Sequence, residues 1–239
     1  MASVNLNPNQ EKAVKTGLKP LIIVAGAGTG KTRTLTSRLA HLIHMGADPG
    51  SICAITFTNK AAKEMLHRVQ QLTIDRLTFD DKRGGVDRQM LNVNGQWLNG
   101  AAPFIGTFHS LGARILRAEA AIFGRTDRFV IFDDHDSFDA IKKILREKYG
   151  VQKRGTTAKD KVPAPSFFRE AISGLKSGST RLTTSGMKTV ENIAESNVNG
   201  QRSKFHSDVP DIFLRYEELL RRHNAFDFDD LIEKVVLLF

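Results

Sequence analysis

The chain has 239 residues, 41% of them hydrophobic and 26% charged, which is enough to bury a core and excludes a disordered or fibrous protein. Its apolar runs are far shorter than the ~20 residues that cross a bilayer, and its first residues are polar, which argues against a membrane helix and a secretory signal. The single cysteine, Cys53, excludes a disulfide framework and is predicted to be a small buried hydrophobe in an apolar strand. We therefore expect a cytoplasmic protein that does not bind membranes.

The net charge of +9 is concentrated in one block of the chain. Residues 140–190 contain 12 Lys and Arg against 3 Asp and Glu, and the remaining residues are balanced in charge. A localised basic block is typical of a surface that binds the phosphates of a nucleic acid. The alternative is a solvated basic helical surface without a partner, and composition alone leaves both open.

The first hundred residues alternate between strand and helix patterns. The apolar run 21–24 predicts a strand, and the glycine-rich run 25–30 leads from it into an amphipathic helix whose apolar residues lie between 35 and 43. A second predicted strand, 52–57, leads into a second helical pattern over 61–69. This alternation is typical of an α/β protein with a parallel sheet covered by helices.

Residues 73–103 interrupt the alternation. Glycines are scattered there among Asp, Asn and Arg, which predicts a long exposed loop or an added hairpin. A strand over 104–108 and a helix through 111–116 follow. From 112 to 219 the pattern is mostly helical, and its last predicted helix covers 210–222.

Two kinds of feature are predicted inside this helical region. Asp133 and Asp134 are expected to cap a helix rather than to bind a metal with Asp136, because no ligand loop with the required glycine is present. The segments 151–166 and 174–187 are rich in Gly, Ser, Thr, Lys and Pro and are predicted to be mobile basic connections.

The strongest chemical signal is the segment Ala25-Gly-Ala-Gly-Thr-Gly-Lys-Thr32. The phosphate-loop pattern begins with glycine, and Ala25 stands in its place, so the strict pattern fails. Lys31 could reach the outer phosphates of a nucleotide, and the Thr32 hydroxyl could be a ligand of magnesium. Three glycines allow backbone N–H groups to turn inward at the positive end of the following helix: Gly26, Gly28 and Gly30. The segment therefore predicts a nucleotide site; the alternative is a glycine-rich turn with an incidental Lys-Thr pair.

Several segments together resemble one family, the UvrD/Rep/PcrA group of superfamily 1 DNA helicases, which translocate 3′ to 5′ on single strands. The matching segments occur in the family's order: Leu6–Gln10 (the Q motif), Ala25–Arg33 (motif I, where a first alanine is usual), Ile55–Ala62 (motif Ia), Gly106–Ser110 (the next DNA-contacting motif) and Asp227–Ile232 (just upstream of motif II). Five ordered motifs are far more specific than one.

The resemblance implies ATP and Mg²⁺ as cofactors. It assigns catalytic roles to Lys31 and Thr32, with Thr32 also a metal ligand, and it places Gln10 and Arg33 against the adenine base. The residues that it implies for nucleotide binding are Gln10, Ala25, Gly26, Ala27, Gly28, Thr29, Gly30, Lys31, Thr32 and Arg33.

The resemblance also implies single-stranded and junction DNA as partners, and DNA repair as a role. Phe57 and Phe108 each follow a predicted strand among hydroxyl and amide residues, a setting in which a ring can stack on a base. The alternative is that both rings are ordinary core residues. His109 is expected to orient a loop or contact DNA rather than act as a base. The implied DNA-binding residues are Thr56, Phe57, Thr58, Asn59, Thr107, Phe108, His109 and Ser110.

The fold that the resemblance implies is an incomplete RecA-like phosphate-loop sheet flanked by helices, with an inserted helical subdomain. Residues 1–111 and 220–239 would form part of motor domain 1A, and 112–219 the basic subdomain 1B. Because the sequence ends inside the apolar run 235–239, we expect an N-terminal fragment of a longer helicase.

The family's second acidic motif and its arginines from a second motor domain have no counterpart in this sequence. Asp227, Asp229 and Asp230 precede that motif in the resemblance, so they are assigned no magnesium. We therefore expect the chain by itself to bind nucleotide without hydrolysing it at a motor-like rate. Two other classes stay open: a small-molecule kinase or other phosphate-loop enzyme, and a DNA-binding module without enzymatic activity.

Overall fold

The computed structural model describes residues 5–79, 102–150, 162–178, 180–183, 186–189 and 207–239, with side chains for all of these except 74–79, 180–183 and 186–189. The chain forms two compact units, Met1–Leu111 and Gly112–Phe239, called the first and the second unit below. No helix among the residues described is both long and apolar enough to cross a bilayer.

The first unit packs helices against a small parallel sheet. The described elements are α1 (Pro8–Lys15), α2 (Lys31–His44), β1 (Cys53–Thr56), α3 (Asn59–Phe79) and β2 (Phe104–Thr107), and α4 (Phe108–Glu119) begins at its end. β1 and β2 pair in parallel, with Cys53 opposite Phe104 and Thr56 opposite Thr107. The core is formed by buried apolar residues of α2, β1 and α3: Leu39, Ile43, Ala54, Met65 and Val69. The alternation of strand and helix predicted after residue 30 is confirmed.

Local sequence explains where α1 and α2 begin and end. Asn7 and Gln10 form a capping box at the start of α1, where each side chain bonds the other residue's backbone N–H, and Pro8 supplies the fixed φ of a first helical residue. α2 begins after Gly30, which lies in the left-handed region. It ends at His44, shortly before Gly46, whose φ of 92° stops a helix.

The strand predicted at 21–24 is wrong, since this segment has no regular secondary structure and pairs with none of the strands described. Ile22 is 89% exposed and Val24 94% exposed. An apolar run becomes a strand only where another strand satisfies its backbone groups, and periodicity carries no information about such a neighbour. Cys53 was also predicted wrongly: it is exposed, because successive side chains of β1 point to opposite faces and Ala54 is the one that enters the core.

The second unit is mainly helical. Its described elements are the rest of α4, then β3 (Val130–Phe132), α5 (Asp134–Tyr149), α6 (Pro165–Lys176), β4 (Thr180–Thr183), β5 (Gly186–Thr189), α7 (Val209–Arg222), β6 (Ala225–Asp227) and α8 (Asp230–Leu238). β3 pairs with β6 in parallel, and β4 pairs with β5 as an antiparallel hairpin.

Two clusters form the core of the second unit. The larger one packs α5, α6 and α7 together through residues such as Ile141, Phe168 and Ile212, which are fully buried or nearly so. The other surrounds Phe226, whose ring meets that of Phe129 edge-on at 4.8 Å between centroids. α4 and α8 approach closely at Gly112, because a Cβ there would lie 1.9 Å from the carbonyl oxygen of Leu231.

The start of α5 follows its sequence signal, but one predicted connection differs from the structure. Asp133 caps α5, as predicted, and it forms a capping box with Asp136. Asp134, which was expected to share the cap, is the first residue of the helix and pairs with Arg169. The prediction of a mobile connection over 174–187 is wrong where the structure describes this segment, because α6 continues to Lys176 and β4 pairs with β5. The predictions for 151–161 and for most of 73–103 lie outside the described residues, although α3 continues to Phe79.

Candidate functional site

The glycine-rich segment forms a tight loop at the start of α2. Gly28 and Gly30 have φ angles of 74° and 87°, which favour glycine over any other residue. The Thr29 hydroxyl donates to the carbonyl of Gly26 at 2.8 Å, and this hydrogen bond connects the two sides of the loop. Gly30 is the N-cap and provides no side-chain bond, so the first N–H groups of α2 are left to face a ligand.

The Lys31 side chain folds back over the loop. Its ammonium donates to the carbonyl oxygens of Ala25 at 2.8 Å and of Gly26 at 2.7 Å. Both hydrogen bonds are exposed and have neutral acceptors. A charged phosphate oxygen would bind the ammonium more strongly than either carbonyl does. The positive charge is therefore held where a phosphate chain on the loop would lie.

The remaining predicted nucleotide residues lie on the exposed side of the loop or on the first turn of α2. Ala27, Thr32 and Arg33 are exposed, and Ala25 is half-buried. Thr32 directly follows Lys31 in the first turn of α2. Among the residues that the structure describes, no cluster of three or more His, Cys, Asp or Glu side chains could hold a metal ion.

Gln10 connects α1 to the loop. Its side-chain nitrogen donates to the carbonyl of Thr29 at 2.9 Å, and its side-chain oxygen accepts from the backbone N–H of Asn7 at 2.9 Å. Arg38 of α2 makes a second connection, since its guanidinium donates to carbonyls at the end of α1, those of Ala13 and Thr16 among them. The Asn7-x-x-Gln10 spacing was a capping-box signal that our interpretation of the sequence missed.

The sheet brings the two predicted stacking rings together. Because β1 and β2 are parallel and in register, their carboxyl ends share one edge, and Phe57 and Phe108 are the residues that follow these ends. The ring centroids are 6.3 Å apart at an interplanar angle of 53°. Phe57 is 91% exposed and Phe108 51% exposed, so neither is a core residue.

The hydroxyl residues beside the rings also stabilise helix starts. The Thr58 hydroxyl accepts from the backbone N–H of Ala61 and caps α3. The Ser110 hydroxyl accepts from the backbone N–H of Thr107 at 2.7 Å at the start of α4. Gly106 is required next to them, because a Cβ there would lie 2.5 Å from the Ser110 oxygen. Asn59 and His109 are exposed, and Thr56 is half-buried.

A buried ion cluster in the second unit is absent from our sequence predictions. The side chain of Lys176 is fully buried, and its Nζ lies 2.8 Å from Asp227 Oδ2 and 2.8 Å from Asp230 Oδ1. Glu217 Oε1 lies 2.7 Å from the same nitrogen. Lys176 was counted in the basic block, but its place eight residues after Phe168 and four after Ile172, both buried on α6, marks it as inward-facing.

Burial and charge shift the pKa values in this cluster. Burial alone would lower the pKa of Lys176, but the carboxylates of Asp230, Asp227 and Glu217 outweigh it and raise that pKa. Burial, together with the charges of Asp227 and Glu217, raises the pKa of Asp230 to about 6 against the opposing effect of Lys176. Lys176 is therefore a stronger base, and Asp230 a weaker acid, than the same residues would be in water.

A glycine-rich loop, a lysine folded over it and an open helix start are the parts from which phosphate-binding loops of nucleotide-binding domains are built. The sequence profile of the UvrD/REP helicase N-terminal domain matches residues 6–239, and the chain belongs to this family.

Two curated relatives show how much of a longer protein the chain covers. The ATP-dependent DNA helicase PcrA of Staphylococcus epidermidis is 38% identical over 237 residues, which are 98% of this chain and 26% of that protein. The PcrA helicase of Staphylococcus aureus is 35% identical with the same coverage of both chains. The chain thus spans about a quarter of the length of these relatives.

Proposed function

We propose that this chain is the nucleotide- and DNA-binding N-terminal part of an ATP-dependent DNA helicase that moves 3′ to 5′. The observation that carries the proposal is that one compact unit holds both a phosphate-type loop with Lys31 folded over it and an exposed pair of aromatic rings, Phe57 and Phe108. Both relatives are ATP-dependent DNA helicases, which agrees with this pairing.

ATP is the proposed nucleotide. Lys31 would leave the carbonyls of Ala25 and Gly26 and bind the outer phosphates, while backbone N–H groups of the loop and of α2 bind the rest of the chain. Gln10 and Arg33 would contact the adenine, as the family resemblance implies. Thr32 would contribute a hydroxyl ligand to Mg²⁺; when bound, the metal nucleotide supplies the phosphoryl group whose transfer to water drives the motor.

Single-stranded DNA is the proposed ligand of the sheet edge. An exposed ring such as Phe57 offers a face on which a base can stack without sequence preference. Polar groups around the rings would bind the backbone of the strand: those of Thr56, Thr58, Asn59, Thr107, His109 and Ser110. Because removing a ring of this size from water is favourable, stacking of a base on the exposed Phe57 would contribute to the free energy of binding.

In the proposed helicase, the chain would be divided between a motor domain and an inserted subdomain. Residues 1–111 and 220–239 would belong to the motor domain, and 112–219 would form a basic subdomain that binds the duplex arm of junction DNA. In the whole helicase, the binding and release of nucleotide would close and open two motor domains along one strand. A role in DNA repair belongs to the same proposal.

The two other classes explain less of the molecule. A small-molecule kinase has no need of two exposed rings side by side at the sheet edge. A DNA-binding module without a nucleotide leaves the left-handed glycines at 28 and 30 and the position of Lys31 without a reason.

The nucleotide site is tested by Lys31→Ala. This change removes a charged contact to phosphate, so affinity for ATP should fall by about 2–3 kcal/mol, measured by calorimetry. Circular dichroism should show an intact fold. Lys19→Ala, which removes an exposed lysine of the same unit outside the loop, should bind ATP as the wild type does. Equal affinity in the wild type and the Lys31 variant would disprove the site.

A further inference from the structure

The side chain of Gln10 makes two bonds that have nothing to do with a base. Its nitrogen donates to the backbone carbonyl of Thr29, and its oxygen accepts from the backbone N–H of Asn7. The first bond joins residues 19 positions apart, one on α1 and one in the phosphate loop. The amide therefore holds a defined peptide of the loop against α1.

That peptide is the one between Thr29 and Gly30. A trans peptide is planar, and its C=O and N–H point in opposite directions. Because Gln10 holds the Thr29 carbonyl towards α1, the N–H of Gly30 is turned away from α1. Inward-turned N–H groups of this kind are what a phosphate loop uses to bind its anion.

The neighbouring glycine makes the contact possible. A Cβ on Gly30 would lie 3.0 Å from the Gln10 nitrogen, so the amide would have to shift by a few tenths of an ångström, and the φ of 87° would strain any other residue. Gly30 is therefore needed for the approach of the amide as well as for the turn of the backbone.

Hydrogen bonds at both ends of α1 hold this helix in place, and they therefore also hold the Gln10 amide in place. At the beginning of α1, the Asn7 side chain accepts from the backbone N–H of Gln10 at 2.9 Å and completes the capping box. At its end, Arg38 of α2 donates to the carbonyls of Ala13 at 2.8 Å and Gly17 at 2.9 Å. α1 is thus bonded to the loop through Gln10 and to the middle of α2 through Arg38. A movement of the loop at Thr29 would have to break the bond to Gln10 or displace α1.

We infer that Gln10 is a positioning residue for the phosphate loop: it orients the Thr29–Gly30 peptide and so strengthens binding of the phosphates themselves, separately from any contact with the base. This inference rests on the proposed nucleotide site. It predicts that a ligand with phosphates and no base depends on Gln10.

The experiment compares ATP with inorganic tripolyphosphate, both with Mg²⁺, by calorimetry on the full chain. Gln10→Met keeps the length of the side chain and removes both bonds. Affinity for tripolyphosphate should fall about three- to tenfold, the cost of one or two hydrogen bonds. Affinity for ATP should fall at least as much.

Two further variants separate positioning from helix stability. Asn7→Ala removes the cap acceptor but keeps the backbone N–H that binds Gln10, so tripolyphosphate affinity should fall less than in Gln10→Met. Glu11→Gln breaks an exposed ion pair with Lys15 on the same helix and should leave both affinities unchanged.

Three outcomes would contradict the inference. If Gln10→Met weakens ATP but leaves tripolyphosphate unchanged, Gln10 contacts only the base and the inference is wrong. If Asn7→Ala and Gln10→Met weaken tripolyphosphate equally, the effect belongs to the helix cap and the inference is also wrong. If the wild-type chain binds neither ligand, the proposed nucleotide site fails and the inference fails with it.

Discussion

At the scale of single residues, exposure separates functional rings from structural ones. Phe168 and Phe226 are fully buried and hold the second unit together, whereas Phe57 is 91% exposed next to Phe108. An isolated exposed ring is common on protein surfaces, but two adjacent rings at the end of two parallel strands form a defined apolar patch. The position of Phe57 therefore makes binding, rather than stability, the property that its loss should change.

Phe57→Ala should weaken binding of a short single-stranded oligonucleotide by roughly 1–3 kcal/mol, because one stacked base is lost. The melting temperature should hardly move, since a buried phenylalanine would cost ~3–5 kcal/mol of stability and this one is exposed. Fluorescence anisotropy and thermal melting measure the two effects. Met45→Ala, another exposed apolar residue of the first unit, should change neither. A large loss of stability with unchanged affinity would rule out stacking.

At the scale of elements, the buried ion cluster connects α6, α7, β6 and α8. Lys176 at the end of α6 binds carboxylates that come from the other three elements. Asp227 and Asp230 also bond each other's backbone N–H groups at the start of α8. Tyr216 of α7 donates its hydroxyl to Asp227 at 3.0 Å, so the cluster fixes the geometry of the β6–α8 turn.

The pKa of about 6 for Asp230 predicts a pH dependence of stability. The carboxyl group of Asp230 is protonated below about pH 6 in the folded chain but only below about pH 3.9 in the unfolded chain. Because the folded chain binds more protons between these values, the contribution of Asp230 to the free energy of unfolding falls as pH rises from about 4 to 7. Compared with Asp230→Asn, which does not titrate, the wild type should lose about 2 kcal/mol across this window. Urea unfolding at several pH values measures the difference.

A difference taken against a matched variant is needed because other carboxylates act in the opposite direction. Lys148 and Arg215, for example, lower the pKa of Asp211, which adds stability as pH rises. Asp229→Asn, at the half-buried neighbouring position, is the control and should follow the wild type. If the wild-type and Asp230→Asn curves run parallel from pH 4 to 7, Asp230 does not take up a proton in the folded chain.

At the scale of the whole molecule, the structure reduces the charge that the basic block can offer. Lys148 lies 3.0 Å from Asp208 and 2.6 Å from Asp211, Arg169 pairs with Asp134, and Lys176 is buried. The exposed cations that α5 presents include Lys143 and Arg146. Four further cations of the basic block lie outside the described ranges: Lys153, Arg154, Lys159 and Lys161.

Duplex DNA should bind the basic block weakly, without sequence preference and with a steep dependence on salt. The double variant Lys143→Gln, Arg146→Gln should lower the slope of log affinity against log salt by about 2, since each phosphate contact contributes about 0.9. The control, Arg221→Gln with Arg222→Gln, removes the same charge from residues that bind Glu218 and should leave the slope nearly unchanged. Affinity that is insensitive to salt would mean a solvated surface without a partner.

The chain by itself should bind ATP without hydrolysing it at a motor-like rate. Phosphoryl transfer needs a positioned water, a carboxylate-held metal and positive charge on the transferring group, and an arginine supplied in trans is worth about 10³–10⁵ in rate. Lys31 and Thr32 supply only part of this set, and Asp227 and Asp230 are bound to Lys176. Phosphate release should stay near background, with or without single-stranded DNA. Turnover on the order of 1 s⁻¹ would show that the motif assignment is wrong.

The sequence alone predicted features that depend on neighbours along the chain. The capping of α5 by Asp133 and the glycine-rich loop before Lys31 both follow from local backbone chemistry. The family followed from five ordered motifs, and the sequence profile confirms it. Even the positions of Phe57 and Phe108 at two strand ends could be predicted, because each lies at the end of a local pattern.

Other features were decided by contacts between distant segments, which periodicity does not describe. The apolar run 21–24 met every local condition for a strand and is not one, because pairing depends on a partner strand. Lys176 looked like a surface cation until α7, β6 and α8 surrounded it with carboxylates. Phe57 and Phe108 became one exposed pair through the parallel register of β1 and β2, and Gln10 met Thr29 through the packing of α1 on α2. The sequence by itself therefore determined which chemical groups are present and how each local segment folds, whereas the tertiary structure decided which groups meet, because distance and burial depend on segments far apart in the chain.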